Sequence, residues 1–216
     1  MPDTGAVMYL YLIQAPAAFL AGAFPTSYLA GKLLKGLDLR EHGSGNLGAT
    51  NVFRVMGAWP AVLVLAVDIF KGFAAVSWLP RLAVTDNLIL LQVILGLAAV
   101  AGHIFSPFVG FRGGKGVATA AGVFLAICPL AVLYCLAVWG AVFALFRIVS
   151  VASLAAALCL PLFVRLTVDP ALPGFAVISS FSYGIALAVI LTHRSNIGRL
   201  FRGQEKRLSR GGGEPK

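Results

Sequence analysis

Residues 117–146 read VATAAGVFLAICPLAVLYCLAVWGAVFALF, and this run decides the fold of the chain. It contains no charged residue and is longer than the about 20 residues with which an α-helix crosses a bilayer. Pro129 lies near its middle, where a proline removes a backbone hydrogen bond and breaks or kinks a helix. The run can therefore form one long helix or two shorter ones. That choice determines on which side of a membrane every flanking loop lies.

The rest of the chain has the same apolar character. Of its 216 residues, 59% are hydrophobic and only 12% are charged, whereas soluble domains carry about 25% charged residues. The short alternating segments of an outer-membrane β-barrel are absent from the sequence. The composition therefore predicts an all-α integral membrane protein. Further apolar blocks occupy approximately residues 7–30, 56–80, 88–104, 149–167 and 174–192.

The distribution of basic residues favours two helices within residues 117–146. One helix there would give six spans and would place the C-terminal tail opposite the glycine-rich segment 106–116. Two helices give seven spans, and that segment then shares one side with segment 32–54, Arg147 and segment 193–216. This side holds 14 of the 17 Lys and Arg residues, as the positive-inside rule expects of cytoplasmic loops. We therefore predict seven transmembrane helices, with the N-terminus outside and the C-terminus in the cytoplasm.

One predicted helix is too short to cross the membrane unaided. Residues 117–128 span about 18 Å, whereas the hydrocarbon core is about 30 Å thick. The glycine-rich segment before this helix should therefore lie below the membrane surface, where irregular backbone is tolerated only beside a polar cavity. We predict such a cavity there. The whole belongs to a single polytopic membrane domain of residues 1–207, which a flexible basic cytoplasmic tail of residues 208–216 follows.

The first polar segment, residues 42–51, reads HGSGNLGATN and is followed by Arg54. Glycines let a backbone approach a ligand closely, and the Ser, Asn and Thr side chains are neutral hydrogen-bond donors. Arginine adds a forked cation suited to phosphate. The alternative is a flexible loop between helices with a Thr or Asn cap. The candidate ligand-binding residues are Ser44, Gly45, Asn46, Thr50, Asn51 and Arg54.

The second polar segment, residues 110–119, reads GFRGGKGVAT and opens directly onto a helix. Free N–H groups at a helix start, the helix dipole and a lysine together favour anion binding. It is not a Walker A motif, because Gly116 follows Lys115 where that motif requires Ser or Thr, so nucleotide hydrolysis is not supported. A basic cytoplasmic turn is the alternative. The candidate anion-binding residues are Gly113, Gly114, Lys115, Gly116 and Thr119.

The third polar segment begins at His193, at the end of the last apolar block. His193 and Asn196 are three residues apart and share a face if the segment is helical, while an ordinary basic tail is the alternative. The histidines of the chain have no second ligand at metal spacing, so we predict neither a metal nor another cofactor. Asp68 and Lys71 form an (i, i+3) pair within an apolar block. A functional and a structural role are equally open for this pair, so it stays outside the predicted site.

Together these motifs resemble those of the bacterial acyl-phosphate-dependent glycerol-3-phosphate acyltransferase family, often called PlsY. The similarity covers most of the chain. The sequence departs from the family at residues 23–26 (AFPT), where a serine commonly precedes Ile-Pro, and in the tail after Arg207. The motifs are residues 43–51 (GSGNLGATN), 68–72 (DIFKG), 102–105 (GHIF), 113–119 (GGKGVAT) and 193–200 (HRSNIGRL).

The resemblance implies seven helices in the bacterial inner membrane and an active site that faces the cytoplasm. It implies transfer of a fatty acyl group from acyl phosphate to the sn-1 hydroxyl of glycerol 3-phosphate, the first step of phospholipid synthesis. The products are lysophosphatidate and inorganic phosphate. The proton acceptor is either His193 or a phosphate oxygen of a substrate. Acyl phosphate is assigned to Gly113, Gly114, Lys115, Gly116 and Thr119, and glycerol 3-phosphate to the first-segment candidates with His193 and Asn196.

A membrane transporter of a phosphorylated solute is the alternative function, because it too would place basic helix N-termini within the membrane. The sequence shows no internal repeat of the kind that transporters have, and its polar segments share one predicted side. It also lacks the H-x-x-x-x-D signature of acyltransferases that use acyl-CoA or acyl carrier protein. The basic residues cluster between apolar blocks, so we expect membrane lipids and no nucleic acid as partners. The two anion-binding segments indicate either two phosphorylated ligands or one ligand with a long polar head, and the resemblance implies the first.

Overall fold

The computed structural model describes residues 4–82, 85 and 87–208, and its regular elements over these residues are ten α-helices and two 3-10 turns. It divides into two compact units, of which the first ends at Ile127 and the second begins at Cys128. The predicted single domain of residues 1–207 stays a prediction. Residues 209–216 of the predicted tail lie outside the described residues. The Leu208 N–H donates to the Arg147 carbonyl oxygen over 2.8 Å.

Six helices form the first unit. In this unit α1 packs against α5, and α4 packs against α3, α5 and α6. Short 3-10 turns follow α4 at Leu79–Leu82 and α5 at Pro107–Val109. The helices are α1 (Thr4–Ala23), α2 (Thr26–Lys35), α3 (Ala49–Met56), α4 (Ala58–Ser77), α5 (Leu88–Ile104) and α6 (Val117–Ile127).

Four helices form the second unit. Here α8 packs against both α7 and α9, and Trp139 Nε1 donates to Ser153 Oγ over 3.2 Å to join α7 and α8. The last helix, α10, follows α9 directly after His193. The helices are α7 (Pro129–Phe146), α8 (Val149–Thr167), α9 (Phe175–Thr192) and α10 (Arg194–Phe201).

The first predicted apolar block, residues 7–30, is not one continuous helix. α1 ends at Ala23 and α2 begins at Thr26, with Phe24 and Pro25 between them. Pro25 has no backbone N–H and disfavours helical geometry at the residue before it, so a regular helix does not run through this point. The break leaves the carbonyl oxygens of Ala23 and Phe24 available, and they accept hydrogen bonds from Ser106, just beyond α5, and from Lys71 of α4.

Pro129 divides residues 117–146 into two helices, as the sequence predicts. α6 ends at Ile127 and α7 begins at Pro129, a position at which a helix needs no N–H donor. α6 has 11 residues, which corresponds to a length of about 16 Å. The predicted short helix after the glycine-rich segment is therefore present.

Several helices are long and apolar enough to cross a membrane. α6 is apolar but shorter than these helices. Large apolar side chains on α7, such as Leu133 and Leu136, are exposed, which suits a hydrocarbon environment. The predicted number of seven spans and the orientation of the termini stay predictions. The long segments found among the described residues are Ala58–Leu82, Leu88–Val109, Pro129–Phe146, Val149–Thr167 and Phe175–Thr192.

Glycines bring two pairs of helices into close contact in the first unit. A Cβ on Gly22 of α1 would collide with the Ala99 carbonyl of α5, and a Cβ on Gly102 of α5 would collide with the Phe19 carbonyl of α1. In the same way Gly72 and Gly122 bring α4 and α6 together, with no room for a side chain at either glycine. Small residues at such crossings allow helix backbones to approach closely, as is common in membrane proteins.

Candidate functional site

The first polar segment is organised by the side chain of Asn51, which is 1% exposed. Its Oδ1 accepts a hydrogen bond from the Ser44 N–H over 2.8 Å. Its Nδ2 donates to the carbonyl oxygens of Leu39 and His42 over 3.2 and 3.0 Å. Both amide hydrogens are therefore engaged within the protein. In the structure the Asn51 amide fixes the loop, and its predicted role in holding a ligand stays a prediction.

Two glycines of this segment turn the backbone. Gly43 and Gly45 have φ values of +64° and +69°, and the Gly45 N–H donates to the His42 carbonyl over 3.1 Å. Such left-handed geometry is accessible to glycine without a steric penalty. The tight turn leaves Ser44 exposed and Asn46 half-buried. Ser44 therefore presents its hydroxyl at the surface of a fixed loop.

Thr50 and Arg54 lie on α3, which begins immediately after the first polar segment. They are four residues apart, so their side chains share one face of the helix. Both are half-buried, and the Nε atom of Arg54 is fully buried. The candidates Ser44, Asn46, Thr50 and Arg54 are thus presented by one loop and the first turns of the helix that follows it.

The glycine-rich loop, residues 110–116, is held against the end of α5. The Gly113 N–H donates to the Ile104 carbonyl over 3.0 Å, and the Gly114 N–H donates to the His103 carbonyl over 3.1 Å. The last carbonyls of a helix have no helical partner, and the loop satisfies these two. The sequence predicted that these N–H groups would hold a phosphate. In the structure they are already engaged, which corrects the role expected of both glycines.

Close packing explains why Gly113 and Gly114 are glycines. A Cβ on Gly113 would collide with the His103 carbonyl oxygen, and a Cβ on Gly114 would collide with His103 Nε2 and the Leu47 carbonyl oxygen. The contact with Leu47 joins the two polar segments, because Leu47 belongs to the first and Gly114 to the second. The structure therefore brings the loop before Arg54 against the loop that carries Lys115.

The remaining candidates of the second segment lie where the loop enters α6. Lys115 is half-buried, and Gly116 has a φ of +81° and packs against the side chains of Val100 and Ile104. Thr119 is fully buried, and its Oγ1 has no hydrogen-bond partner among the described residues. The structure thus places Thr119 inside the helix packing rather than on an open surface.

A polar cluster that the predicted site omitted lies beneath this loop. The Asp68–Lys71 pair is buried, with Lys71 Nζ at 2.8 Å from Asp68 Oδ1. Thr26 Oγ1 donates to the same carboxylate oxygen over 3.0 Å, and His103 Nδ1 lies 3.8 Å from it. These groups and Ser106 line a small polar cavity whose wall also contains Leu47, Gly113 and Gly114. A cavity at the glycine-rich loop was predicted, whereas its charged lining was not.

The signs of this cluster in the sequence were the pair of intramembrane charges and the two family motifs at residues 68–72 and 102–105. A periodicity argument could place Asp68 and Lys71 on one helix face, but it could not bring His103 and Thr26 to them. Among the described residues, no three His, Cys, Asp or Glu side chains lie close enough together to hold a metal ion.

His193, in the second unit, ends α9. Its Nδ1 lies 2.8 Å from the Val189 carbonyl oxygen, and the ring is 3% exposed. A carbonyl oxygen only accepts hydrogen bonds, so Nδ1 carries the proton of this contact. In the neutral ring Nε2 is then the nitrogen with the lone pair, which is the state that a general base requires.

Asn196 and Arg199 on α10 converge on Glu205, which sequence reasoning missed. Asn196 Nδ2 donates to Glu205 Oε1 over 2.5 Å and Arg199 Nε to Oε2 over 2.7 Å. Ser150 Oγ on α8 also donates to Oε1, over 2.8 Å. Burial raises the pKa of Glu205, but the hydrogen bonds from Asn196, Ser150 and Arg199 outweigh it and lower the pKa below its ordinary value. The available signal was that Glu205 is one of only two acidic residues in the basic segment 193–216.

The candidate residues thus fall into two groups. The first and second polar segments meet within the first unit, whereas His193 and Asn196 belong to the second unit. The convergence of all three segments on one substrate site stays a prediction.

The chain matches a known family over most of its length. The model of the glycerol-3-phosphate acyltransferase family matches residues 12–203. The glycerol-3-phosphate acyltransferase of Chlorobaculum tepidum is 42% identical, over 94% of this chain and 99% of that protein. The protein of the same name from Parasynechococcus marenigrum is also 42% identical, over 94% of this chain and 92% of that protein.

Two solved structures are similar to this chain. Both are crystal structures of PlsY (YgiH), described as an integral membrane glycerol 3-phosphate acyltransferase. The glycerol 3-phosphate form has a TM-score of 0.83 and 37% identity, over 92% of this chain and 96% of that chain. The lysophosphatidic acid form has a TM-score of 0.78 and 36% identity, over 95% of this chain and 96% of that chain. These matches confirm the resemblance found in the motifs and do not favour the transporter alternative.

Proposed function

This chain belongs to the glycerol-3-phosphate acyltransferase family, and we propose that acyl phosphate is its acyl donor. It is an integral membrane acyltransferase that acts on glycerol 3-phosphate in phospholipid synthesis. The observation that carries the donor proposal is the Leu47–Gly114 contact, which packs the loop before Arg54 against the loop that carries Lys115. Two cationic side chains on two adjoining loops suit a reaction in which both substrates carry a phosphate.

The reaction requires the protein mainly to position the two substrates and to neutralise their charge. The sn-1 hydroxyl oxygen attacks the acyl carbonyl carbon, the bond between that carbon and the phosphate oxygen breaks, and inorganic phosphate leaves. An acyl phosphate is a mixed anhydride and is already activated. The enzyme therefore gains most by orienting two anions and by stabilising the charge that develops.

The proposed roles keep the assignment that the motifs suggested, adjusted for Gly113 and Gly114. We assign Lys115 to the acyl phosphate and Arg54, with Ser44, Asn46 and Thr50, to glycerol 3-phosphate. His193 and Asn196 complete the glycerol 3-phosphate site in this proposal. Gly113 and Gly114 support the loop instead of donating to phosphate, because their N–H groups bind α5 carbonyls.

The hydroxyl proton goes either to His193 Nε2 or to a phosphate oxygen of a substrate. The contact between His193 Nδ1 and Val189 supports the histidine, because it leaves Nε2 as the acceptor in the neutral ring. The variant His193→Ala separates the two routes. A change in the shape of the pH–rate profile identifies the histidine as the base. An unchanged profile with modestly reduced turnover assigns the proton to phosphate.

We also propose seven spans in the bacterial inner membrane, with the N-terminus outside and the site on the cytoplasmic side. Two observations support this topology: 14 of the 17 Lys and Arg residues lie on the predicted cytoplasmic side, and the short α6 follows the glycine-rich loop. The acyl chain would then enter between helices from the lipid. Reporter fusions after Arg81 and at the C-terminus test this orientation. The same location for both would contradict it.

The donor is tested directly with the purified protein. Labelled glycerol 3-phosphate is incubated with palmitoyl phosphate, and palmitoyl-CoA serves as the control donor. We expect labelled lysophosphatidate and stoichiometric inorganic phosphate from palmitoyl phosphate only. Product from palmitoyl-CoA without product from palmitoyl phosphate would refute the donor proposal and leave the family membership intact.

A further inference from the structure

We infer that the stretch Asp68–Gly72 of α4 positions the glycine-rich loop, so that Asp68 and Lys71 act on the reaction through Lys115. This inference rests on the proposed role of Lys115 in binding the acyl donor. It concerns a buried ion pair that the mechanism above does not use. Three sets of contacts carry it, one at each end of the loop and one within it.

The first set of contacts fixes the segment between the end of α5 and the loop. Lys71 Nζ binds Asp68 and also donates to the Phe24 carbonyl over 3.2 Å at the break between α1 and α2. Ser106 Oγ, just beyond α5, donates to the neighbouring Ala23 carbonyl over 2.6 Å. The break in the first apolar block thus ties α4 to the start of the loop.

The second set of contacts links the ion pair to the loop itself. His103 lies with Nδ1 at 3.8 Å from Asp68 Oδ1, and the other side of its ring leaves no room for a side chain on Gly114. The His103 carbonyl accepts the hydrogen bond of the Gly114 N–H over 3.1 Å. A displacement of His103 would therefore displace Gly114, which directly precedes Lys115.

The third set of contacts fixes the helix into which the loop leads. A Cβ on Gly72 would collide with the Thr119 carbonyl of α6, and a Cβ on Gly122 would collide with the Ile69 carbonyl of α4. The helix after the glycine-rich loop is therefore seated directly on this stretch of α4, and the segment before the loop is tied to the same stretch through the break between α1 and α2. Lys115 lies between these two fixed points.

The charges themselves point to positioning rather than to stability. Burying two ions costs free energy, and replacing a buried pair with apolar side chains is often neutral or stabilising. Lys71, however, supplies several donors from one atom and reaches both Asp68 and the Phe24 carbonyl. Thr26 of α2 donates a further hydrogen bond to the same carboxylate oxygen. An apolar pair would fill the space without fixing α4, α2 and the break at Phe24 relative to one another.

The test uses the double variant Asp68→Asn/Lys71→Met, which removes both charges and leaves neither ion buried alone. We expect a melting temperature close to that of the wild type. The KM for palmitoyl phosphate should rise about tenfold or more, because small misplacements of a binding group are costly. If KM and kcat both stay at their wild-type values, the inference is wrong.

A double-mutant cycle with Lys115→Ala identifies the route of the effect. If the ion pair acts through Lys115, adding the double variant to Lys115→Ala should change the KM for palmitoyl phosphate less than twofold. Additive effects would overturn the inference, because independent sites add. A wild type that does not use palmitoyl phosphate would instead refute the donor proposal, so the two failures are distinguishable.

Milder variants cover the case in which the double variant does not fold. Thr26→Val removes one hydrogen bond to Asp68 and should raise the same KM severalfold, and Thr26→Ser should restore it. The matched control is Gln14→Leu. It removes a buried amide group that donates a hydrogen bond to the Leu79 carbonyl, just beyond the far end of α4. This control should lower the melting temperature without changing KM. An equal change of KM in Gln14→Leu and Thr26→Val would contradict the inference.

Discussion

The glycine-rich loop of residues 110–116 and the C-terminal segment of residues 193–205 each follow an apolar helix, yet different forces hold them. The loop is held against the end of α5 by two backbone hydrogen bonds and by the absence of side chains at Gly113 and Gly114. The C-terminal segment is held by one carboxylate, Glu205, that accepts three side-chain hydrogen bonds. A region of the first kind should not tolerate added atoms. One of the second kind should be sensitive to charge and pH.

The variant Gly114→Ala should have the largest effect. Its Cβ would overlap both His103 Nε2 and the Leu47 carbonyl, so the loop must move and carry Lys115 with it. We expect acyl transfer to fall by about 100-fold, measured as kcat/KM for palmitoyl phosphate. Wild-type kinetics in this variant would show that the loop does not need the close contact.

Glu205→Gln should have the next largest effect and tests the C-terminal segment. The change keeps the size of the side chain but removes the charge that Asn196, Arg199 and Ser150 share. We expect a loss of about 2 kcal/mol in the free energy of unfolding, a typical value for a hydrogen bond to a charged group. Transfer activity should also fall about tenfold, because Asn196, the proposed substrate ligand, loses the carboxylate that positions it. The measurements are denaturant unfolding in detergent and steady-state kinetics.

The control for Glu205→Gln is Asp38→Asn in the first unit. Asp38 also binds an arginine, Arg40, and the hydrogen bond from the Arg40 side chain lowers the pKa of Asp38 to about 2. That pair lies at the surface, where ion pairs contribute little. Asp38→Asn should leave activity unchanged. An equal loss in both variants would remove the distinction between a shared buried carboxylate and an ordinary surface pair.

Acid should affect the two regions differently. The pKa of Glu205 is lower in the folded chain than its ordinary value, because hydrogen bonds outweigh the opposing effect of burial. Glu205 therefore stabilises the fold above its unfolded pKa and loses this contribution as the pH falls through the folded pKa. The melting temperature of the wild type should decrease over this acidic range. It should decrease less in Glu205→Gln and as much as in the wild type in Gly114→Ala.

The smallest effect is expected from Gly198→Ala in α10. Its Cβ would meet only the Arg202 guanidinium, at 3.7 Å, so the new atom fits. Alanine within a helix is more favourable than glycine by about 0.5–1 kcal/mol, so this variant should be slightly more stable and equally active. It is the matched counterpart of Gly114→Ala. A large loss of activity would mean that the C-terminal segment also depends on a missing side chain.

Much of the fold follows from local features of the sequence. The apolar blocks predicted a membrane protein. Pro129 predicted the end of α6, because a proline removes a backbone N–H and breaks or kinks a helix, and the run around it is long enough for two helices. Pro161, by contrast, lies inside α8. Pro25 carried the same signal, yet the prediction kept residues 7–30 together because their apolar composition is uniform. The motifs identified the family. The two glycine-rich segments of this chain meet in the structure at the contact between Leu47 and Gly114. The roles of individual glycines were less predictable, because a glycine can serve a turn, a close contact or a ligand.

The sequence by itself determined the membrane class, the division of residues 117–146 and the family, since these depend on composition, chain geometry and motif order. The tertiary structure alone decided that the Gly113 and Gly114 N–H groups bind the end of α5, and that Asp68 and Lys71 lie beneath them with Thr26 and His103. It also decided that Glu205 orders the C-terminal segment. The physical reason is that a hydrogen-bond partner or a colliding carbonyl belongs to whichever element packs alongside. That neighbour is far away in the chain, and no local pattern identifies it.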